Sequence, residues 1–259
     1  MRPLLFALLA TGCATHAPAV RREAPSGVLP ISVEGTSLRV TGPDGRVVGD
    51  DELIGAILVS RNQGGLAAPV RIDAVTRSGE LTLYTFSALN AETGAWENVC
   101  EPDIHGGQQA LALEGTRTET GDHLRAPGQF EIACTSGAVA KCVSFGYRPW
   151  QSEAMWDLHQ ACTRMVTADY CGDGRSHTRD GTLIDVFDRV GIQLDEPGPG
   201  MTFEAGWGKD GATCVARPRV PDVARLDDIA AECPERVLGP ACSEDAARRD
   251  PRSLLFNRS

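Results

Sequence analysis

Residues 70–86, VRIDAVTRSGELTLYTF, contain two strand-like runs, Val70–Val75 and Leu81–Phe86, on either side of a Ser78-Gly79 turn signal. Short runs of β-branched and aromatic residues bounded by glycine are typical of strands joined by tight turns. Similar runs with similar punctuation flank this stretch. They are Ile31–Val33, Ser37–Val40, Ala56–Ser60, Trp96–Cys100, Ala110–Glu114, Phe130–Cys134 and Ala138–Phe145. Many short strands without intervening helices predict an antiparallel sandwich or open barrel.

Two later segments are predicted to be helical. One covers 153–166 after a capping serine, and the other covers 222–232 from a capping aspartate. Each has an apolar stripe that includes a cysteine, Cys162 or Cys233, so we expect both cysteines to point into the core. The fold class is therefore α+β, rich in β-structure, with two short helices. Further strands are predicted at Leu183–Phe187, Thr202–Ala205 and Thr213–Ala216.

Nine cysteines occur, and eight of them lie after residue 99. An even number of cysteines in an exported protein indicates disulfides, because compartments outside the cytoplasm are oxidising. No CxxC pair is present, which argues against a thioredoxin-type motif or a paired-cysteine zinc site. We expect four bridges and predict that one joins Cys233 to Cys242 across a compact turn. The eight cysteines are Cys100, Cys134, Cys142, Cys162, Cys171, Cys214, Cys233 and Cys242.

The amino-terminal segment is typical of a lipoprotein signal. A basic residue precedes the apolar run Leu4–Ala10, and a glycine precedes Cys13. The run is too short to span a bilayer. We expect 1–12 to be a signal peptide, Cys13 to be acylated and 13–27 to form a flexible tether; secretion with cleavage nearby is the alternative. The mature protein is therefore expected in the cell envelope, at the outer membrane or periplasmic face, or secreted.

The formal net charge is −10, in a chain with 42% hydrophobic residues. Such a composition indicates a globular protein, and the acidic balance disfavours nucleic acid and anionic membrane surfaces, which select clusters of Lys and Arg. We therefore expect membrane contact through acyl chains. One domain over 28–243 is expected, with a β-rich part at 28–146, a cysteine-rich α/β part at 147–243 and a C-terminal tail at 244–259.

The polar segment 141–192 contains the most distinctive motifs. They are GYRPW at 146–150, HQACTRM at 159–165, ADYC at 168–171 and DGT at 180–182. These motifs resemble the ADYC domain of bacterial exported proteins and lipoproteins, a family named for the tetrapeptide. The likeness extends back through Trp96–Cys100 and forward to Gly211–Cys214. Because no activity is assigned to this family, the resemblance implies export without naming a reaction.

Two chemical hypotheses arise from the same segment. A hydrolase of envelope polymers could be built around His159, Asp169 and His177, since a histidine oriented by a carboxylate can serve as general base. A calcium loop could begin at Asp169, with Asp173 at position five and Asp180 at position twelve. A cysteine at position three and an aspartate in place of the bidentate glutamate depart from that loop. Zinc at the two histidines is a further alternative, and otherwise we expect no cofactor.

The structural interpretation is that aspartates beside glycines close tight turns. A groove beside such a loop could still bind a glycan or a peptide. His105 and His123 stand in turn-rich stretches and are predicted to be surface residues. Our leading hypothesis is a non-catalytic envelope lipoprotein that serves binding or assembly. The residues expected to contact its ligand are Tyr147, Trp150, Arg164, Asp169, Asp173 and His177.

Overall fold

The computed structural model describes residues 29–61 and 67–259. The amino-terminal part contains a three-stranded and a six-stranded antiparallel sheet, with a small two-stranded ribbon beside them. The three-stranded sheet consists of β1 (Ile31–Glu34), β2 (Ser37–Thr41) and β3 (Val47–Gly49). The large sheet consists of β4 (Ile57–Arg61), β5 (Ala67–Ser78), β6 (Leu81–Leu89), β7 (Trp96–Asn98), β8 (Ala110–Glu114) and β11 (Phe130–Cys134). The ribbon consists of β9 (Thr116–Arg117) and β10 (His123–Leu124).

The hairpin of β5 and β6 confirms the predicted pair of strands. Gly79 at its tip has a φ of +59°, a left-handed conformation that glycine adopts without steric cost. Ile72 and Phe86 pair across the hairpin and are buried between the sheets. Tyr84 lies beside them, and its hydroxyl accepts a hydrogen bond from the N–H of Leu38 in β2 at 2.8 Å. The two sheets therefore share one core, as the predicted sandwich requires.

The carboxyl-terminal part is built on a five-stranded sheet in the order β12-β16-β13-β14-β15. Its strands are β12 (Asp185–Asp188), β13 (Phe203–Gly208), β14 (Gly211–Val215), β15 (Val237–Leu238) and β16 (Leu255–Arg258). Its helices are α1 (Ala138–Ser144), α2 (Glu153–Thr167), α3 (Leu226–Glu232) and α4 (Glu244–Arg249). The helix α2 packs across the sheet and brings its apolar stripe into the core. The whole is an α+β fold, as expected.

Helix α2 begins where the sequence predicts. The hydroxyl of Ser152 accepts the N–H of Met155 at 3.2 Å, which satisfies one of the free donors of the first turn. The capping residue of helix α3 lies three residues later than expected, at Arg225 instead of Asp222. The carboxylate of Asp228 accepts the N–H of Arg225 at 2.9 Å, so Arg225 occupies the cap position.

The predicted strand at Ala138–Phe145 is wrong, because this segment forms α1. A short apolar run does not distinguish a buried strand from a buried helix by periodicity alone. In the helix, Ala140, Cys142 and Val143 are buried, and Cys142 faces α2. The residues described thus contain four helices rather than the two predicted.

Residues 244–259 also differ from expectation, since they form α4 and β16 instead of a tail. Strand β16 pairs with β12 on one side and β13 on the other, so it lies inside the sheet. Leu255 and Phe256 are buried in its two faces. A strand this short carries little local signal, and its position depends on partners far away in the sequence.

All eight cysteines expected in disulfides are paired. The bridges are Cys100–Cys134, Cys142–Cys162, Cys171–Cys233 and Cys214–Cys242. The predicted Cys233–Cys242 bridge is therefore wrong. The chain between these two cysteines forms β15, which pairs in parallel with β14. Cys233 at the end of α3 bonds to Cys171, whereas Cys242 lies beyond β15 and bonds to Cys214.

The predicted signal peptide, Cys13 and the tether at 13–27 lie outside the described residues. Within the ranges 29–61 and 67–259, no helix has the length and apolar character needed to cross a membrane.

Candidate functional site

The polar segment singled out in the sequence begins at the carboxyl end of α2. Ala168 ends this helix with a φ of 51°, which is unusual for a residue other than glycine, and its side chain is fully buried. Its left-handed conformation turns the chain sharply away from the helix axis. The loop that follows, residues 169–174, is thereby directed back against the end of α2.

The carboxylate of Asp169 organises this loop. Its Oδ1 accepts the N–H groups of Gly172 at 2.8 Å and Asp173 at 3.1 Å, and its Oδ2 accepts the N–H of Gly174 at 2.9 Å. A fourth donor, Nη1 of Arg164, lies 2.5 Å from Oδ2. Both oxygens of a buried carboxylate are thus occupied by donors, which is how an interior charge is stabilised. Asp169 therefore has no free lone pair directed towards solvent.

Gly172 shows why the loop requires glycine. Its φ is +74°, and a Cβ atom there would lie 2.2 Å from the carbonyl oxygen of Asp210. This backbone approach joins the loop to the turn between β13 and β14. The glycine-rich character of the motif thus reflects close packing.

Arg164 is the second buried charge at this point. Besides Asp169, its guanidinium contacts Asp122 Oδ1 at 2.5 Å and the carbonyl oxygen of Thr120. Its Nε lies 3.4 Å from the carbonyl oxygen of Lys209. Arg164 therefore connects α2 with two turns and is inaccessible to an external ligand.

Tyr170 enters a buried polar network that the sequence analysis missed. Its hydroxyl donates to Glu204 Oε1 at 3.1 Å and accepts the N–H of Arg219 at 2.8 Å. The guanidinium of Arg219 binds Glu204, and Asn257 Nδ2 donates to Glu204 Oε2 at 2.7 Å. Burial is the main cause that raises the pKa of Tyr170, followed by the Glu204 charge. The one sequence signal was a glutamate within an otherwise apolar strand, at Glu204.

The fourth residue of the tetrapeptide, Cys171, is bonded to Cys233 at the end of α3. Each residue of ADYC thus has a structural role: a left-handed helix cap, a loop-binding carboxylate, a core aromatic ring and a covalent link.

His159 lies fully buried in the middle of α2. Its Nε2 is 3.2 Å from the carbonyl oxygen of Val139, and because a carbonyl only accepts, Nε2 carries the proton. Its Nδ1 has no hydrogen-bond partner within the described residues. Burial lowers the pKa of His159 to about 3, so its ring is neutral at ordinary pH.

The prediction that His123 lies at the surface is wrong. Its ring stacks on Trp156 with 4.0 Å between centroids, and its backbone N–H donates to Gln160 Oε1 at 2.9 Å. Burial lowers the pKa of His123 as well. Docking of the β9–β10 ribbon on α2 explains this position. His105 is exposed, as predicted.

His177 and His159 have different hydrogen-bond partners. Its Nδ1 is 3.1 Å from the carbonyl oxygen of Ala168, and its Nε2 is 3.7 Å from Glu232 Oε2. Within residues 29–61 and 67–259, no hydrogen bond joins Asp169 to either histidine. The three residues proposed for catalysis therefore have separate partners and do not form a connected relay.

The proposed calcium ligands also bind different groups and do not converge on one point. Asp169 faces backbone donors, whereas Asp173 accepts the N–H of Arg175 at 3.0 Å and its Nε at 2.8 Å. Asp180 is exposed. Across the part of the chain that the structure describes, no group of three or more His, Cys, Asp or Glu side chains has the arrangement of a metal site.

Of the six residues expected to contact a ligand, three are buried: Tyr147, Arg164 and Asp169. Tyr147 donates its hydroxyl to Asp188 Oδ2 at 2.9 Å. Trp150 is 39% exposed and lies against Gly35 in the β1–β2 turn. Asp173 and His177 are partly accessible. Half of the set is therefore accessible, and the buried Arg164 and Asp169 bind neighbouring backbone groups.

Comparison with known protein families gives a match. A family model described as the ADYC domain matches residues 50–221, about two-thirds of the chain, and includes the tetrapeptide at 168–171. No curated protein and no solved structure matches the chain.

Proposed function

Because the chain belongs to the ADYC domain family, we propose that it is an exported lipoprotein of the bacterial cell envelope whose domain serves binding or assembly without catalysis. Two features of the chain support export. The amino-terminal segment has a signal-like apolar run followed by Cys13. Four disulfides are expected only in an oxidising compartment. Anchoring would therefore depend on acyl chains at Cys13.

The observation that carries the non-catalytic assignment is the carboxylate of Asp169. A general base needs a free lone pair within reach of a substrate proton. Here four donors occupy this carboxylate, and one of them is the buried guanidinium of Arg164. The eight cysteines after residue 99 are in disulfides, so they supply no thiolate nucleophile. These residues therefore favour a structural role over a catalytic one.

Anchoring is tested by the mass of the mature protein and by its fractionation. We expect the wild-type protein in the membrane fraction, with an amino-terminal peptide that begins at Cys13 and carries acyl chains. A Cys13→Ser variant should appear in the soluble envelope fraction. A mature chain that starts elsewhere and carries no lipid contradicts the lipoprotein assignment.

The competing hypothesis is a hydrolase built around His159, Asp169 and His177 that acts on cell-wall or extracellular polymer. The feature that favours it is the partly accessible His177 beside Glu232. Purified protein is incubated with peptidoglycan and with envelope polysaccharide, and soluble products are measured. Turnover that disappears in His177→Ala at an unchanged melting temperature overturns the non-catalytic assignment.

A further inference from the structure

Strand β12 forms one end of the five-stranded sheet and pairs only with β16 among the described residues. A groove of about 440 Å³ lies beside this open edge. Its apolar wall includes Ile184, Val186 and Leu194, and the carboxyl end of α1 contributes Phe145 on the other side. All of these residues fall inside the segment matched by the family model.

The backbone of β12 presents unused hydrogen-bonding groups to the groove. Arg189 donates its N–H to the carbonyl of Leu254 on the β16 side, at 3.5 Å, whereas Asp188 donates its N–H to Gln193 on the opposite side, at 3.2 Å. Successive residues of a strand point their polar groups to alternate sides. The N–H and C=O of Val186 therefore face away from β16, as those of Asp188 do. They offer one donor and one acceptor to an added strand.

The far end of the groove is held rigidly by Asp188. Its carboxylate accepts the N–H groups of Val190, Gly191 and Gln193, each at 2.7 Å, and the hydroxyl of Tyr147 at 2.9 Å. Tyr147 belongs to the GYRPW motif and is buried. The motif thus holds Asp188, and with it the turn after β12, from the core side. A binding edge that is already ordered loses less conformational entropy on binding.

The side chains at the rim favour an apolar occupant. Leu194, which lines the groove, is 63% exposed, and Leu183, next to the lining residue Ile184, is 77% exposed. Ile192 packs so closely on Gly146 that a Cβ atom there would lie 2.8 Å from Ile192 Cγ2. Exposed aliphatic side chains concentrated beside an unpaired strand edge are typical of interaction sites.

The charges at the groove are acidic. Asp185 and Glu196 are its charged lining residues. Asp185 is paired with Arg258 at 2.7 Å, whereas Glu196 forms no ion pair within the described residues. Antiparallel pairing with a second copy would bring two acidic edges together, and like charges across strands are destabilising. A basic partner complements this edge.

We propose that the β12 edge binds an extended peptide segment with apolar side chains at alternate positions and Lys or Arg at its flanks. The peptide adds a strand next to Val186, so that main-chain hydrogen bonds provide affinity and the groove selects the side chains. This inference rests on the proposed binding function, and it identifies the binding partner of the domain as an extended basic peptide.

The test uses fluorescence anisotropy with the purified protein and a labelled heptapeptide, Lys-Val-Thr-Val-Thr-Val-Lys. We expect saturable binding, and at least about tenfold weaker binding of the matched peptide with Glu at both ends. Glu196→Lys should weaken binding of the basic peptide by about tenfold. Glu101→Lys, an equal change of net charge at an exposed position in the other half, should leave it unchanged.

A backbone variant separates strand addition from simple charge attraction. Val186→Pro removes the open-edge donor without breaking a bond to β16, and Val186→Ala, which keeps that N–H but shortens the same side chain, is its matched control. Binding should fall at least about tenfold in Val186→Pro, with the cooperative unfolding transition retained. Leu194→Lys, at an exposed residue that lines the groove, tests the apolar contribution without touching the backbone.

Equal affinity for the basic and acidic peptides overturns this inference, and so does equal weakening by Glu196→Lys and Glu101→Lys. Sedimentation of the peptide-free protein tests whether a second copy of the chain occupies the edge instead. A dimer that becomes monomeric in Val186→Pro shows that a second copy occupies the edge and also overturns it. None of these results bears on acylation at Cys13 or on turnover, so the proposed function stands or falls separately.

Discussion

Glu204 and Arg219 form an ion pair inside the core, with Nε of Arg219 3.0 Å from Glu204 Oε2 and both side chains inaccessible to solvent. The pair connects β13 with the segment after β14, and Tyr170 and Asn257 complete its hydrogen bonds. Arg219 also donates to the carbonyl oxygens of Met165 and Val166 at the end of α2. The tetrapeptide loop is therefore tied to the sheet through buried charge.

Glu204→Gln should destabilise the protein by about 3–5 kcal/mol, because removing one partner leaves the other charge buried without compensation. Urea unfolding followed by circular dichroism measures the change. Glu235→Gln is the control, since Glu235 is largely exposed beside Arg236 and an exposed pair contributes about 0–1 kcal/mol. A loss below about 1 kcal/mol in Glu204→Gln contradicts a structural role for the pair.

Asp169→Asn should cost about 3 kcal/mol of stability, because the amide offers one acceptor to four donors and leaves Arg164 unpaired. Asp180→Asn, at an exposed position, should change stability by less than about 0.5 kcal/mol. Thermal unfolding of both variants and the wild type makes the comparison.

The same three proteins test the calcium hypothesis. Dialysis against a chelator should leave the melting temperature of the wild type unchanged, because the oxygens of Asp169 already bind protein donors. A calcium-dependent rise in melting temperature that is lost in Asp180→Asn favours the calcium loop instead.

His159 should make the protein less stable as the solution is acidified. Its pKa in the folded state is about 3, whereas the ordinary value is 6.5, so the unfolded chain binds the extra proton between these values. Stability from this residue is complete above pH 6.5 and falls as the pH drops towards 3. The loss between pH 7.5 and pH 5 is about 2 kcal/mol.

Urea unfolding at several pH values measures this dependence, and His159→Gln should flatten it. His123 has a pKa lowered in the same direction and adds to the effect. His105→Gln, which alters an exposed histidine, should leave the curve unchanged. An unaltered pH dependence in His159→Gln would show that other groups control acid unfolding.

Cys242→Ala should release Cys214 as the new free thiol, because these two residues are bridged. Loss of the bridge should cost about 2–4 kcal/mol. Alkylation under non-reducing conditions followed by peptide mapping identifies the labelled cysteine. Labelling of Cys233 in this variant would instead support the Cys233–Cys242 bridge expected from the sequence, and it would contradict the bridge between Cys233 and Cys171.

Local signals account for what could be predicted of the fold. The hairpin of β5 and β6 is encoded by apolar runs around Gly79, and α2 is encoded by the Ser152 cap and a stripe of apolar residues. The even number of cysteines after residue 99 indicates disulfides but says nothing of their partners. Each of these features depends on residues that are close along the chain.

The candidate site was predicted less well for a physical reason. Polar residues clustered in sequence resemble a reactive centre, and only their burial shows whether they face solvent. Asp169 and Arg164 turn inwards and satisfy each other, and His123 is covered by α2. The groove at β12 could not be seen at all, because an open edge is defined by which strands lie beside it.

The sequence by itself determined the α+β class, the β5–β6 hairpin, helix α2, the disulfide-bonded state and the ADYC family, since these follow from local periodicity, caps and motif identity. The tertiary structure alone decided that 138–144 forms a helix, that Cys233 pairs with Cys171, and that 255–258 lies inside a sheet. These outcomes depend on contacts between segments that are distant along the chain. Their energies come from shared burial, and no local pattern encodes them.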